Sequence, residues 1–266
     1  MRLGLAQLDS GTDKARNLAT IERLARRAAH DGAELVAFPE YSMYEKKVVD
    51  ASFGPASEPL DGPFVTALAD LASSFGVAIV AGVVEANPDG RRPFNTLVAL
   101  DSSGSLLGRY RKIHLFDSYG FRESESITPS PSLEPITFVV GSTTVGLMTC
   151  YDLRFPELAR ELADAGAEVM LACSSWVPGE GKAEHWRVLA QARAIENSCF
   201  VGAVSQVPPV SIGRSLLVDP AGGIRGELGL EVGVRTFDLD RADVGAARER
   251  DPALENRRYS IRRGRP

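Results

Sequence analysis

Long hydrophobic runs, histidine and cysteine are scarce in this chain, and each scarcity closes off a class of function. No apolar stretch reaches the length of a membrane span. The opening Met1-Arg2-Leu3-Gly4-Leu5-Ala6-Gln7-Leu8-Asp9 turns polar too early for a secretory leader. The three cysteines, Cys150, Cys173 and Cys199, are odd in number and widely spaced, with no Cys-x-x-Cys pair and no Cys/His cluster. That excludes a disulfide framework and a zinc site, and it points to a reducing, cytoplasmic compartment with no metal. Only three histidines occur, His30, His114 and His185, so a cysteine-histidine dyad would have to use one of them. Also missing are Gly-x-Ser-x-Gly, a Walker-type loop, Gly-x-Gly-x-x-Gly after a strand, and His-Glu-x-x-His. Serine-hydrolase, nucleotide-binding and zinc-protease readings lose their support. An excess of positive charge is absent as well: the net charge is -5 with the signs interleaved, which argues against a nucleic-acid or membrane surface. Arg257-Arg258 and Arg262-Arg263 are the exception, and four arginines in a solvated tail do not make a groove.

What is present suits a soluble α/β protein. With 44% hydrophobic and 24% charged residues in 266, the chain has ample core material and is expected to form one domain. Leu3, Leu5 and Gln7 alternate with Gly4, Ala6 and Leu8, both sets largely apolar, as in a central strand covered on both faces. From Asn17 onward, Leu18, Ile21, Leu24, Ala25 and Ala28 follow helical spacing, with Arg23, Arg26 and Arg27 outward and Asp31-Gly32 as the stop. Glu34 to Phe38 reads as a strand, Pro63 to Phe75 as a helix closed by Gly76, and Val77 to Val84 as the next strand. Asn95 to Leu100 and Leu106 to Lys112 flank Asp101-Ser102-Ser103-Gly104 and predict a hairpin, so the sheets are mixed. Beyond a Ser- and Pro-rich loop from His114 to Pro135 come two short strands and a helix from Pro156. A strand from Glu168 to Ala172, a helix over Ala183 to Asn197 and a strand from Cys199 to Val204 follow. Strands near Ser215 to Val218 and Val234 to Leu239, parted by the turn signal Asp219 to Gly223, complete the pattern.

Three reactive residues share one kind of position. Cys150 follows the apolar run Val145 to Met148 and precedes a helix, Glu40 follows the strand ending at Phe38, and Lys112 ends the hairpin. A thiol attacking a carbonyl needs a base for its proton and a donor for the oxyanion. Glu40 suits the first task; the Lys112 ammonium and the Tyr151 backbone N–H suit the second. Taken singly, each has a plainer reading: Cys150 as an inert buried thiol, Glu40 as a turn cap, Lys112 as a guard on an edge strand. Cys173 and Cys199 read as core.

Phe38-Pro39-Glu40, Tyr110-Arg111-Lys112-Ile113-His114-Leu115 and Cys150-Tyr151-Asp152-Leu153-Arg154-Phe155-Pro156-Glu157-Leu158 resemble the three signature segments of the nitrilase superfamily of carbon-nitrogen hydrolases. The likeness runs from Ala6-Gln7 to Arg257-Arg258, in the same order, which makes the plainer readings poor explanations of all three together. It implies a four-layer α-β-β-α sandwich with two mixed sheets, a single domain over 1–266, and a Glu40-Lys112-Cys150 triad without cofactor or metal. It also implies a small-molecule amide substrate and a homodimer or higher homo-oligomer. The family's second glutamate falls on Glu123, with Glu125 as the neighbouring alternative. Tyr151 in place of tryptophan after the cysteine sets the chain apart from true nitrilases, and the segment is most similar to omega-amidases and deaminated-glutathione amidases. The expected activity is hydrolysis of a small linear amide to acid and ammonia through a cysteinyl thioester. N-carbamoyl amino acid hydrolysis, nitrile hydrolysis and a non-catalytic metabolite-binding role are the alternatives. Tyr44, Met43, Arg154, Trp176, Lys182 and His185 are candidates for lining the pocket. Arg154 has a competing structural role in an ion pair with Glu157 or Asp152, and His185 and Trp186 a competing role in packing the first turn of their helix.

Overall fold

The computed structural model describes residues 1–264. In chain order the elements are β1 (Arg2–Gln7), α1 (Lys14–His30), β2 (Leu35–Ala37), α2 (Phe53–Ala56), α3 (Pro63–Phe75), β3 (Ala78–Glu85), β4 (Phe94–Leu100), β5 (Leu106–Arg111), β6 (Thr137–Val140) and β7 (Thr143–Thr149). They continue as α4 (Pro156–Asp164), β8 (Val169–Ser174), α5 (Lys182–Asn197), β9 (Phe200–Ser205), β10 (Leu216–Val218), β11 (Ile224–Glu227), β12 (Gly233–Asp238) and α6 (Arg241–Arg250). Single 3-10 turns occupy Glu123–Glu125 and Cys150–Arg154.

The strands form two six-stranded sheets, β12-β1-β2-β3-β4-β5 and β6-β7-β8-β9-β10-β11. Both run through the same succession of pairings: antiparallel, parallel, parallel, antiparallel, antiparallel. The parallel steps need crossovers, and helices supply them: α1 and α3 in the first sheet, α4 and α5 in the second. Each sheet thus carries its helices on one face and turns the other face to its twin.

Strand periodicity assigns the faces. Leu3, Leu5, Leu35, Ala37, Ala78, Val80, Leu97 and Ala99 belong to the core shared with the second sheet. Ala6, Val36, Phe38, Ile79, Ala81, Val98 and Leu100 pack with the α1 and α3 side chains Ile21, Leu24, Ala28, Phe64 and Leu68. At the sheet-to-sheet contact, Leu3 and Leu5 lie over Gly202 of β9, where an added Cβ would meet Leu5 Cδ2 at 3.1 Å. The result is the four-layer sandwich that the resemblance implies.

Several boundaries and contacts differ from the sequence reading, each for a local reason. α1 starts at Lys14, ahead of the apolar periodicity, because the Asp13 side chain accepts from the Ala15 and Arg16 N–H groups. α3 matches its expected span, with Pro63 in its first turn and Gly76 in the left-handed conformation at φ 63°. The stretch after β10 holds an additional strand, β11, and an additional helix, α6, follows β12, both too polar to show a clear period. The terminal arginines are not all free: Arg257 forms a two-pronged pair with Asp164, and Arg263 pairs with Glu161 and Glu134. No helix among the described residues is long and apolar enough to cross a membrane.

Candidate active site

The three reactive residues each lie near the end of a strand, β2, β5 or β7, and line one cavity. Glu40 lies three residues past β2, in a sharp elbow where Tyr41 has φ 57°. The elbow sits directly on β3. A Cβ at Gly82 would lie 2.5 Å from Tyr41 N and 2.6 Å from Pro39 O, so only glycine fits beneath it. Lys112 is the first residue after β5, held by its N–H donating to Asn95 O at 2.8 Å. Cys150 follows β7 directly and starts a 3-10 turn with φ 47°, a left-handed conformation that costs a non-glycine residue energy and recurs at nucleophile positions.

All three side chains are buried and touch a common network. Lys112 Nζ donates to Glu40 Oε1 and to Glu123 Oε2, both at 2.8 Å. Glu40 Oε1 also accepts from Asn95 Nδ2 at 2.6 Å, and its Oε2 from the Ser175 N–H at 2.7 Å. Glu123 Oε1 accepts from Tyr41 Oη at 2.7 Å and Asn95 Nδ2 at 3.0 Å, while Oε2 also takes the Phe116 N–H at 2.7 Å. The Cys150 Sγ lies 3.7 Å from Ser175 O. Glu125, by contrast, is exposed, so Glu123 is the carboxylate that reaches the cavity.

Charge and burial compete here. Burial opposes the Lys112 ammonium, but the Glu123 and Glu40 carboxylates outweigh it and hold its pKa well above the usual lysine value. Glu123 is pushed up by burial, yet Lys112 and the hydrogen bonds it accepts bring it below the usual carboxylate value. Burial and the nearby Glu40 charge raise the Cys150 thiol well above its ordinary range, with Lys112 pulling the other way. The resting sulfur is therefore a thiol.

The cavity has two lobes meeting at Cys150. The first, about 490 Å³ counted to its open mouth, is lined by Glu40, Tyr41, Glu45, Lys112, Glu123 and Cys150, among others. The second, a narrow recess of about 200 Å³ counted to its open mouth, is lined by Phe116, Cys150, Tyr151, Arg154, Trp176, Val177 and Lys182. Of the residues expected to line the pocket, Arg154, Trp176 and Lys182 line the second lobe. Tyr44 does not line either lobe: its hydroxyl donates to Ser52 Oγ at 2.9 Å and its ring packs edge-on against Phe53. Met43 is buried in the core between the first sheet and its helices. His185 is exposed on α5, with Nδ1 3.3 Å from Arg154 Nη2. The structural role expected for Arg154 is corrected, since it pairs with neither Glu157 nor Asp152: its guanidinium lies 5.2 Å from the Trp176 ring centre and its Nε has no partner among the described residues. Trp186 packs on Trp176 and donates to Arg214 O at 2.9 Å.

Four functional neighbours escape the sequence reading. Asn95 bridges two carboxylates from the start of β4, and Tyr41 takes the place expected for Tyr44. Glu45 is 3% exposed with one carboxyl oxygen unpartnered, and burial pushes its pKa well above the carboxylate range. Asp152 is fully buried and accepts from Tyr110 Oη at 2.6 Å, Thr149 N at 2.9 Å, His114 N at 3.1 Å and His114 Nδ1 at 2.7 Å. It ties the thiol's turn to the segment that carries Lys112. Its one sequence signal is the Thr149-x-x-Asp152 capping spacing.

The sequence profile of the carbon-nitrogen hydrolase family matches residues 2–249. The hydrolase Rv0480c of Mycobacterium tuberculosis is 38% identical over 96% of this chain and 95% of its own. The deaminated glutathione amidase of Bos taurus is 34% identical over 97% of this chain and 82% of its own. Among solved structures, Saccharomyces cerevisiae Nit3, a member of branch 10 of the nitrilase superfamily, superposes with a TM-score of 0.87 at 28% identity, covering 97% of both chains. Fold, site and relatives together define a hydrolase acting on carbon-nitrogen bonds outside peptides. The chain belongs to the carbon-nitrogen hydrolase family, within the nitrilase superfamily.

Proposed function

We propose that the chain hydrolyses a small linear amide to a carboxylic acid and ammonia through a thioester on Cys150. The observation that carries this reading is Lys112 Nζ held at 2.8 Å from both Glu40 and Glu123 in the cavity that Cys150 lines. Ionising the thiol to solvent would add a negative charge beside two carboxylates. Passing its proton to Glu40 instead leaves the net charge of the site unchanged, so Glu40 is the base. The sulfur then attacks the amide carbon, and the oxyanion is held by Lys112 Nζ and the Tyr151 backbone N–H. Glu40 returns the proton to the departing nitrogen, the C–N bond breaks, and ammonia leaves. A water enters, Glu40 takes its proton, the hydroxide attacks the thioester carbon, and as the C–S bond breaks Glu40 returns the proton to the leaving sulfur, giving the acid and the free thiol. Glu123 acts by positioning Lys112.

The motif's similarity to omega-amidases and deaminated-glutathione amidases favours amides over nitriles and N-carbamoyl compounds. We also propose that the chain acts as one domain, as a homodimer and in the cytoplasm. Ammonia release from 2-oxo-acid amides, deaminated glutathione and N-carbamoyl amino acids tests the activity. Turnover of an amide that Cys150→Ala abolishes is the expected result; no turnover of any carbon-nitrogen substrate would instead favour a metabolite-binding role.

A further inference from the structure

Of the three carboxyl groups that line the first lobe, two have both oxygens engaged. Glu40 accepts from Lys112, Asn95 and the Ser175 N–H, and Glu123 from Lys112, Tyr41, Asn95 and the Phe116 N–H. Glu45 differs. It is buried on the same lobe, its Oε1 accepts from the Lys46 N–H at 2.9 Å, and its Oε2 has no partner among the described residues. No cation pairs with it: Lys112 is bonded to Glu40 and Glu123, and Lys46 turns its ammonium to Asp50 and Ser52. An unpartnered polar atom costs the folded state energy, so one kept on the wall of a reactive cavity points to a ligand.

The proposed reaction itself supplies that ligand. Glu40 lines the first lobe and not the second, so the nitrogen that takes the Glu40 proton faces the first lobe, and ammonia is released there. Ser175 connects Glu45 to the point of release. Its N–H donates to Glu40 Oε2 at 2.7 Å, its carbonyl oxygen lies 3.7 Å from Cys150 Sγ, and its side chain stands beside the Glu45 carboxyl. Burial keeps Glu45 protonated, and with Oε1 accepting from Lys46 the proton falls on Oε2. The lobe as a whole has no acidic excess, because Lys46, Lys47, Lys112 and Arg122 line it too. What distinguishes Glu45 is local: one free oxygen and one available proton.

We infer that Glu45 is the receptor for the departing ammonia, giving it a proton and passing it to solvent as ammonium. The inference rests on the amidase reading above and extends it to the fate of the leaving group. Once the C–N bond has broken, the ammonia lone pair takes the Oε2 proton, which leaves a carboxylate hydrogen-bonded to ammonium. The ammonium departs, Glu45 regains a proton from solvent, and ionisation of the product acid returns one. Capture vacates the position that the hydrolytic water takes, and Glu40, already deprotonated, is free to activate that water. Each step has its reverse, so the same carboxylate takes a proton from incoming ammonium and delivers ammonia to the thioester.

The test partitions the acyl-enzyme between water and ammonia. The methyl ester of an acid whose amide is hydrolysed is supplied in ammonium chloride at neutral pH, and amide and acid products are measured in wild type, Glu45→Gln and Glu45→Asp. Glutamine keeps the shape of the neutral carboxyl and cannot exchange a proton. The amide-to-acid ratio should therefore fall by about 10-fold or more in Glu45→Gln, the scale of a hydrogen bond to a charged group, and recover in part in Glu45→Asp. A substitution that merely disturbs the site slows both products and leaves their ratio alone. That result, or a ratio that rises because Glu45 holds the hydrolytic water instead, overturns the inference while leaving the amidase reading intact. Turnover of neither ester nor amide would be a failure of the amidase reading, and melting in ammonium chloride against potassium chloride then reads the receptor by itself. A rise specific to ammonium that Glu45→Gln lacks supports the receptor; equal melting of wild type in the two salts refutes it.

Discussion

At the residue scale, the two carboxylates that flank Lys112 give its removal two separable costs. Lys112→Met takes away an oxyanion donor, worth about 3 kcal/mol in the transition state, so kcat should fall by about 100-fold or more. It also leaves Glu40 and Glu123 facing each other without a cation, which should cost about 3–5 kcal/mol of stability. Steady-state kinetics and denaturant unfolding separate the two. Glu45 makes the opposite case. Its folded pKa is raised by burial, so the folded state holds a proton that the unfolded chain releases. Its contribution to stability is fully present below the unfolded carboxylate pKa and is lost as pH rises toward the folded value. The loss is about 1.4 kcal/mol per pH unit across that interval. Glu45→Gln cannot titrate, so its advantage over wild type in chemical denaturation should grow with pH from about 5 upward until the folded carboxyl ionises; a constant difference would contradict a neutral Glu45. The three residues proposed as the triad are legible in the sequence because each lies within three residues of the end of a recognisable strand. Asn95, Tyr41, Glu45 and Asp152 are not, since a buried polar residue announces itself only once its partners from other elements are in place.

At the element scale, the strand ends do the positioning, and Gly82 shows how tightly. Gly82→Ala sets a methyl carbon against the Pro39 and Tyr41 backbone, which cannot yield without moving Glu40. The variant should keep a native circular dichroism spectrum and lose kcat/KM by about 100-fold, the scale of a misplacement near 1 Å; unchanged kinetics would mean the elbow tolerates displacement. Elements are legible in the sequence where local chemistry and burial agree, as in α3 between Pro63 and Gly76 or in β1, apolar on both faces. They are not at β11, Ile224–Glu227, whose residues are only partly buried or exposed, or at α6, where Val244 and Ala247 are the only buried positions. Arg154 lines the pocket as the sequence suggests, but its ion-pair reading fails because nearness in sequence to Asp152 and Glu157 says nothing about direction: the 3-10 turn points its guanidinium to Trp176 on the loop after β8.

At the scale of the whole molecule, two sheets with the same succession of pairings stack so that one sheet contributes Glu40 and Lys112 and the other contributes Cys150 and Ser175. The site exists only where they meet, so activity should be lost together with the sheet-to-sheet core and not before it. Assembly is a separate expectation: light scattering should give about twice the 28.6 kDa chain mass, and a monomer mass would contradict the dimer.

The central claim is that a sulfur assisted by Glu40 and Lys112 carries the acyl group. Intact-mass spectrometry of the enzyme acid-quenched during turnover of a slow amide tests it most directly. The account predicts an adduct equal to the amide less ammonia, located on the peptide containing Cys150 and absent from Cys150→Ala. Ammonia release that persists in Cys150→Ala, with no adduct on the wild-type chain, would contradict it.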